Sequence, residues 1–305
     1  MPTALLEHQH EVTNEDASVS LVFGTTGTTY LTTTQPVISG STGTTGDVGR
    51  VREDGMSLGE DYSSGKTAAF DLAVLTDDAD NPTQAGSDAL SDLERLWRTP
   101  GFRNGSGKYA ILRSMVGGRT RRAYGRPRRY DEVAGNLTIK GVTPVLCDFF
   151  VPDGTWYDDD ESTVTIPIIA SIISGLVAPL VTPLTTTTAV ITSQGGTIGG
   201  KLPTWPVITF HGPVTNPKVR FNGGLTVAIN TVIASGQSVT VDTRPWQRTV
   251  LRDDGASLAG AFTWDTPPMR HMALDPGVYD ITFTGQDLSG TAWCSVAWRG
   301  AYSRW

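Results

Sequence analysis

The sequence predicts a mainly β protein of two domains, and three observations carry that expectation. Runs rich in Thr and Val recur, whereas the Leu/Glu/Lys/Ala blocks that build long helices are missing. Gly (34) and Pro (18) are frequent enough to separate many short strands with turns. At 305 residues the chain exceeds one small core and suits two domains of the common size of ~100–150 residues. With 38% hydrophobic and 18% charged residues it carries enough apolar material to fold. The net charge of −7 argues against a specific nucleic-acid partner, which would favour a basic surface.

The elements follow in chain order. Ser18–Phe23 alternates as a strand, and Gly24–Gly49 is Gly- and Thr-rich with scattered hydrophobes, giving strands with long loops. Lys66–Leu75 places Ala68, Phe70, Leu72 and Val74 on one face by the two-residue period of a strand. Asp77–Pro82 ends it with turn formers. One helix follows, capped by Ser87 or Asp88, with Leu90, Leu93, Leu96 and Trp97 on one stripe and Pro100 as the stop. Tyr109–Val116, Gly117-Gly118 and Arg119–Arg126 form a β-hairpin, because paired glycines supply the positive φ angles of a tight turn. Asn136–Phe150 continues as strand. Turn and acidic residues over Pro152–Glu161 mark the boundary between a domain of residues 1–160 and a connector of 161–186. Residues 187–305 then hold short strands at Thr187–Thr192, Val207–His211, Lys218–Phe221, Leu225–Ile229, Ser238–Asp242, Arg248–Leu251, Gly277–Thr284 and Ala292–Trp298, at the spacing of a β-sandwich. Its inward face takes Ile281, Phe283, Val296 and Trp298.

Several stretches imitate sites and are weighed against plainer roles. Val164–Leu184 is apolar enough for a membrane span, but Pro167, Pro179, Pro183 and Gly175 oppose a helix, so no membrane association is expected. The first residues lack a basic region followed by an apolar run, so no secretory signal is expected. Cys147 and Cys294 are expected as two buried thiols. Gly195–Lys201 has the start of a phosphate loop, yet Leu202 stands where the hydroxyl residue belongs and Pro203 forbids the helix, which leaves a loop between strands. His8 and His10 lack further ligands and are expected in solvent. His211 and His271 have no nucleophile setting nearby. Asp158–Glu161 lacks the spacing of a calcium loop and is expected as a solvated acidic linker. Trp205, Trp246, Trp264, Trp293, Trp298 and Trp305 suit core or interface packing more than a sugar platform. With no metal, cofactor or catalytic constellation indicated, the chain is expected to be structural and not an enzyme.

The densest charge of one sign is Arg119, Arg121, Arg122, Arg126, Arg128 and Arg129. Strand alternation sends Arg119 and Arg121 to one side and Arg122 and Arg126 to the other, so neither face is simply core. Contact with a polyanion is one reading of this run, but in an acidic protein the favoured one is that these arginines are candidate subunit-interface residues, with Asp77–Asp80 and Asp158–Glu161 of an adjacent copy as candidate partners.

Two sets of residues carry a resemblance. In the first half they are the strand Gly65–Leu75, the helix with Leu90-Ser91-Asp92-Leu93, the hairpin ending Ala123-Tyr124-Gly125-Arg126-Pro127, and Asp148–Tyr157. In the second half they are Pro206–Pro217, Val239–Thr243, Leu274-Asp275-Pro276-Gly277 and Val296-Ala297-Trp298-Arg299. In that order they resemble the siphophage distal tail proteins and related minor tail proteins, over most of the chain beyond the first ~60 residues and the Thr-rich connector. The resemblance implies a ring-forming belt domain followed by a galectin-like β-sandwich, commonly in six copies around the tail axis. It also implies a tail-tip virion location, assembly in the host cytoplasm, and a ring joining the tail tube protein to the distal tip and adsorption apparatus. The implied partners are the chain itself, the tail tube protein, a tip hub or tail-associated protein and the tape measure protein. No catalytic residue comes with it, and a galectin-like shape alone does not imply sugar binding. A carbohydrate-binding host-recognition protein, and less so a tail polysaccharide hydrolase, are the alternatives.

Overall fold

Ala68, Phe70, Leu72 and Val74 are all buried on one face of a ten-residue strand, and that strand organises the N-terminal sheet. The computed structural model describes residues 4–15, 17–25, 28–40, 43–103, 108–133, 135–168, 193–287 and 289–305. The chain divides into a first unit of Met1–Asp159 with Tyr302–Trp305 and a second of Asp160–Ala301.

The first unit contains β1 (His10–Thr13), β2 (Ser20–Phe23), β3 (Tyr30–Thr32), β4 (Val37–Ser39), β5 (Gly43–Thr44), β6 (Val48–Gly49), β7 (Met56–Ser57), β8 (Tyr62–Ser63) and β9 (Lys66–Leu75). Helices α1 (Pro82–Trp97) and α2 (Pro100–Arg103) follow, then β10 (Ala110–Val116), β11 (Arg119–Glu132), β12 (Val142–Val151) and β13 (Trp156–Asp158). The main sheet runs β2-β1-β10-β11-β12-β9-β3, with β4 also on β9 and β13 on β11. The expected hairpin is β10–β11, and its turn glycines have φ of 64° and 72°. Glu7 accepts from both glycine N–H groups, which depresses its carboxyl pKa and fastens the turn.

Helix α1 starts earlier than the expected cap at Ser87 or Asp88. Asn81 is the cap, its side chain accepting from Gln84 N at 3.3 Å, and Pro82 opens the helix where a missing N–H costs nothing. Leu90, Leu93 and Trp97 bury the stripe against the sheet, and Trp97 Nε1 donates to Arg129 O at 2.8 Å. The strand expected from Asn136 begins only at Val142. Thr138–Lys140 forms a 3-10 turn closed by Gly141 at φ 78°, where a Cβ would meet the backbone of Thr76 and Asp77 at 2.8 Å.

The second unit contains β14 (Ser162–Pro167), β15 (Ser193–Ile198), β16 (Val207–His211), β17 (Val214–Phe221), β18 (Thr226–Ala228), β19 (Val232–Ile233), β20 (Ser238–Asp242), β21 (Thr249–Arg252), β22 (Gly277–Gln286) and β23 (Trp293–Trp298). One sheet runs β14-β23-β16-β20-β21; the other runs β15-β22-β17-β18 with β19 on β17. All the pairings are antiparallel, and the alternating inward residues form one core that includes Ile281, Phe283, Val296 and Trp298, as the period of two predicts. Two expectations are corrected. Ser162–Pro167, assigned to the extended connector, pairs along β23, with Ile166 fully buried in this core. Gly195–Ile198, expected in a loop, lies in β15, where Gly196 lets Trp298 approach so closely that a Cβ would stand 2.8 Å from its ring. Thr187–Thr192 lies outside the described residues. Both cysteines are free and buried.

Phe283 is fully buried and faces Phe210 at 5.8 Å between ring centroids. We expect Phe283→Asp to abolish the cooperative unfolding of the second unit in a denaturant titration, since an unpaired buried carboxylate costs several kcal/mol. An unchanged transition would refute the core assignment.

Candidate functional site

Strand β11 carries the arginines singled out by sequence, and pairing with β10 on one edge and β13 on the other fixes where each one points. Val12, Leu112 and Ala123 share the face turned to the core, so Glu11, Arg113 and Arg122 share the opposite face in cross-strand register. Arg113 is 4% exposed and Glu11 2%. Arg113 meets Asp159 through Nε and Nη2, at 3.0 and 2.7 Å, and Glu11 through Nη1. Arg122 Nη2 reaches the same Asp159 at 2.7 Å, and Ser20 Oγ donates to Glu11 at 2.5 Å. Burial alone would raise the Asp159 pKa, but hydrogen bonds from Arg113 and the adjacent charges of Arg122 and Arg113 outweigh it and hold the carboxyl below its usual range.

The other candidate arginines divide. Arg121 lies 3.6 Å over the Tyr302 ring, and its Nη1 donates to Arg304 O at 2.7 Å. Arg126 donates twice to Lys108 O. Arg129 pairs with Asp131 at 2.6 Å, about half exposed. Arg128 is exposed near the Phe150 ring, and Arg119 is exposed with no ion pair among the described residues. Four of the six candidates, Arg121, Arg122, Arg126 and Arg129, are therefore engaged inside their own chain, the last in a half-exposed pair. Asp158–Glu161 is corrected from a solvated linker: Asp158 ends β13, Asp159 is held by two arginines, and Glu161 lies 3.5 Å from Arg299 within the second unit. Sequence reasoning missed Arg113 and Glu11. The available signal was an arginine in the middle of the apolar strand Ala110–Val116, which demands a counter-ion.

His10 is also corrected, from solvent to core. It packs against Phe23, Phe70 and Trp305 at 5.1 to 5.8 Å, and its Nδ1 lies 2.8 Å from Ser114 Oγ. A serine hydroxyl on an imidazole is the geometry of an activated nucleophile, but Ser114 is fully buried, and among the described residues no carboxylate orients the ring. An open cleft of about 300 Å³ beside it is lined by His8, His10, Thr34, Gln35, Pro36 and Trp305. Among the described residues no group of three His, Cys, Asp or Glu could hold a metal ion, and no helix is long and apolar enough to cross a membrane. In the second unit His211 stacks on Trp293 at 3.6 Å, Trp298 is core, and Trp264 is 98% exposed on a turn pinned by Asp265 to Lys218 at 2.6 Å.

No family model and no curated protein matches the sequence. Solved structures do. The Dit protein of SPP1, described as a paradigm of the hub adsorption apparatus in phages infecting Gram-positive bacteria, is similar with a TM-score of 0.55 and 13% identity, over 96% of this chain and 98% of that one. Chains of the activated phage P2 baseplate are similar with TM-scores of 0.53 (with Ca; 12% identity) and 0.52 (with Sr; 14% identity), each over 95% of this chain and 97% of the other. The chain thus has the mainly β fold of phage tail hub and baseplate proteins across both units.

Burial pushes the His10 imidazole from its ordinary 6.5 down to about 4, with the nearby His8 adding to the shift. A histidine held neutral stabilises the fold fully above its unfolded pKa, and that contribution is lost as pH falls through the folded value. We expect urea unfolding to lose roughly 3 kcal/mol between neutrality and the acid end of that window, and His10→Gln to remove most of this dependence. An NMR titration of His10 near its ordinary value would contradict the assignment.

Proposed function

We propose that this chain is a structural subunit of the tail tip of a tailed bacteriophage, forming a ring of six copies that joins the tail tube to the distal tip and adsorption apparatus. The observation that carries the reading is the likeness to tail hub and baseplate proteins over nearly the full length of both partners, which accounts for both units and not for a shared module alone. The first unit is the ring-forming part. Its arginine strand supplies interface residues, foremost the exposed Arg119, Arg128 and Arg129, since Arg121, Arg122 and Arg126 are partly buried and held within the chain. The partners in this reading are further copies of the chain, the tail tube protein, a tip hub or tail-associated protein and the tape measure protein. The role is architectural, so no catalytic group is invoked.

A second reading, carbohydrate binding at the host surface, is favoured by one observation. Trp264 presents nearly its whole ring on a turn in which Thr266 Oγ1 accepts from Ala228 N at 2.9 Å and Lys218 holds Asp265. Retention of host-surface glycan by the isolated full chain would favour it.

Electron microscopy of the virion with this chain tagged tests the main reading. We expect density for a closed ring at the distal end of the tail tube. A tag found along the tube, or absent from the particle, would overturn it.

A further inference from the structure

We propose that residues 43–63 form an arm that docks on a second copy of this chain, against the exposed arginines of that copy's β11. The inference rests on the ring reading above and names the contact that would build the ring.

The arm leaves the first unit between β4 and β9 as two short ladders, β5 on β8 and β6 on β7, joined by a turn in which Arg50 N donates to Gly55 O. Each limb is about ten residues, so the arm can reach roughly 30 Å at ~3.3 Å per residue. An isolated two-stranded hairpin is marginal in water, because it buries too little apolar surface to offset its ordering. This one buries almost none. Val48, Val51, Met56, Leu58 and Tyr62 are between 57% and 88% exposed, and none of them belongs to either core cluster. The conformation is nonetheless specified. Gly59 crosses Gly46 so closely that a Cβ would lie 2.2 Å from Gly46 O, and Gly59 N donates to Asp47 Oδ1 at 2.9 Å. A defined element with a run of exposed aliphatic side chains marks an interaction surface.

Charge selects the occupant. The arm holds five carboxylates, Asp47, Glu53, Asp54, Glu60 and Asp61, against two arginines, Arg50 and Arg52. On β11 the exposed cations are Arg119, Arg128 and Arg129. Every copy therefore carries both an acidic, apolar arm and a cationic strand. Two unlike patches on one chain make a head-to-tail contact, the kind that closes into a ring. An anionic lipid surface would repel the same arm.

The test is the mass of the full-length protein in solution, by light scattering across concentration, with circular dichroism confirming the fold of each variant. Wild type is expected to assemble. Val51→Glu with Leu58→Glu should abolish assembly. Glu60→Lys with Asp61→Lys should weaken it, and adding Arg119→Glu with Arg128→Glu to that variant should restore it. Assembly by the folded V51E/L58E variant equal to wild type would overturn the arm contact while leaving the ring reading intact. Wild type that stays monomeric at every concentration would overturn both. Charge-reversed arms that assemble normally, or are not rescued by the reversed strand, would refute β11 as the docking surface.

Discussion

The N-terminal sheet depends on one buried charge balance. Arg113 sits in the middle of β10, and its guanidinium is removed from water together with Glu11, while Asp159 and Arg122 lie nearly as deep. Two cations meet two carboxylates, so the cluster is neutral, and the bidentate contact with Asp159 uses the planar fork that only arginine offers. The cluster ties β1, β10, β11 and the end of β13 together. It also fixes register: sliding β10 by one residue would send Arg113 into the face occupied by Leu112 and Ala110, where no anion waits. Replacing all four groups with apolar ones could leave stability unchanged, but removing one strands a charge.

That balance constrains what the arginine strand can offer a partner. Cations already committed to Asp159, to the Lys108 carbonyl or to the Tyr302 ring would have to be stripped before binding anything else. The cations left exposed on β11 are Arg119, Arg128 and Arg129, the last sharing a half-exposed pair with Asp131, and exposed apolar surface lies elsewhere, on the arm. Inside the second unit two antiparallel sheets bury an apolar core, and its buried Asp242 is met by Arg244 two residues along the chain.

Much of the fold was legible in the sequence because strand alternation is local. Ala68–Val74, the Gly117-Gly118 turn and the inward set of Ile281, Phe283, Val296 and Trp298 all follow from a period of two and from turn chemistry. The helix start was misplaced because Asn81 and Pro82 fit a strand-ending turn as well as they fit a cap and first turn. The charge cluster was hidden for a different reason. Glu11 and Arg113 are separated by about a hundred residues, and only pairing of β1 with β10 makes them neighbours. Asp159 looked solvated since its own stretch is acidic, yet β13 delivers it to two arginines. His10 misled in the same way: its burial comes from Phe23, Phe70 and Trp305, which are distant in sequence.

A double-mutant cycle between Arg113 and Glu11, measured by urea unfolding of Arg113→Met, Glu11→Gln and the pair, tests this dependence most directly. Each single substitution is expected to destabilise the first unit by about 3–5 kcal/mol, and the double variant to cost far less than their sum, since Arg122 and Asp159 then remain as a neutral pair. Additive or negligible effects would contradict the claim that this buried pairing holds the sheet together.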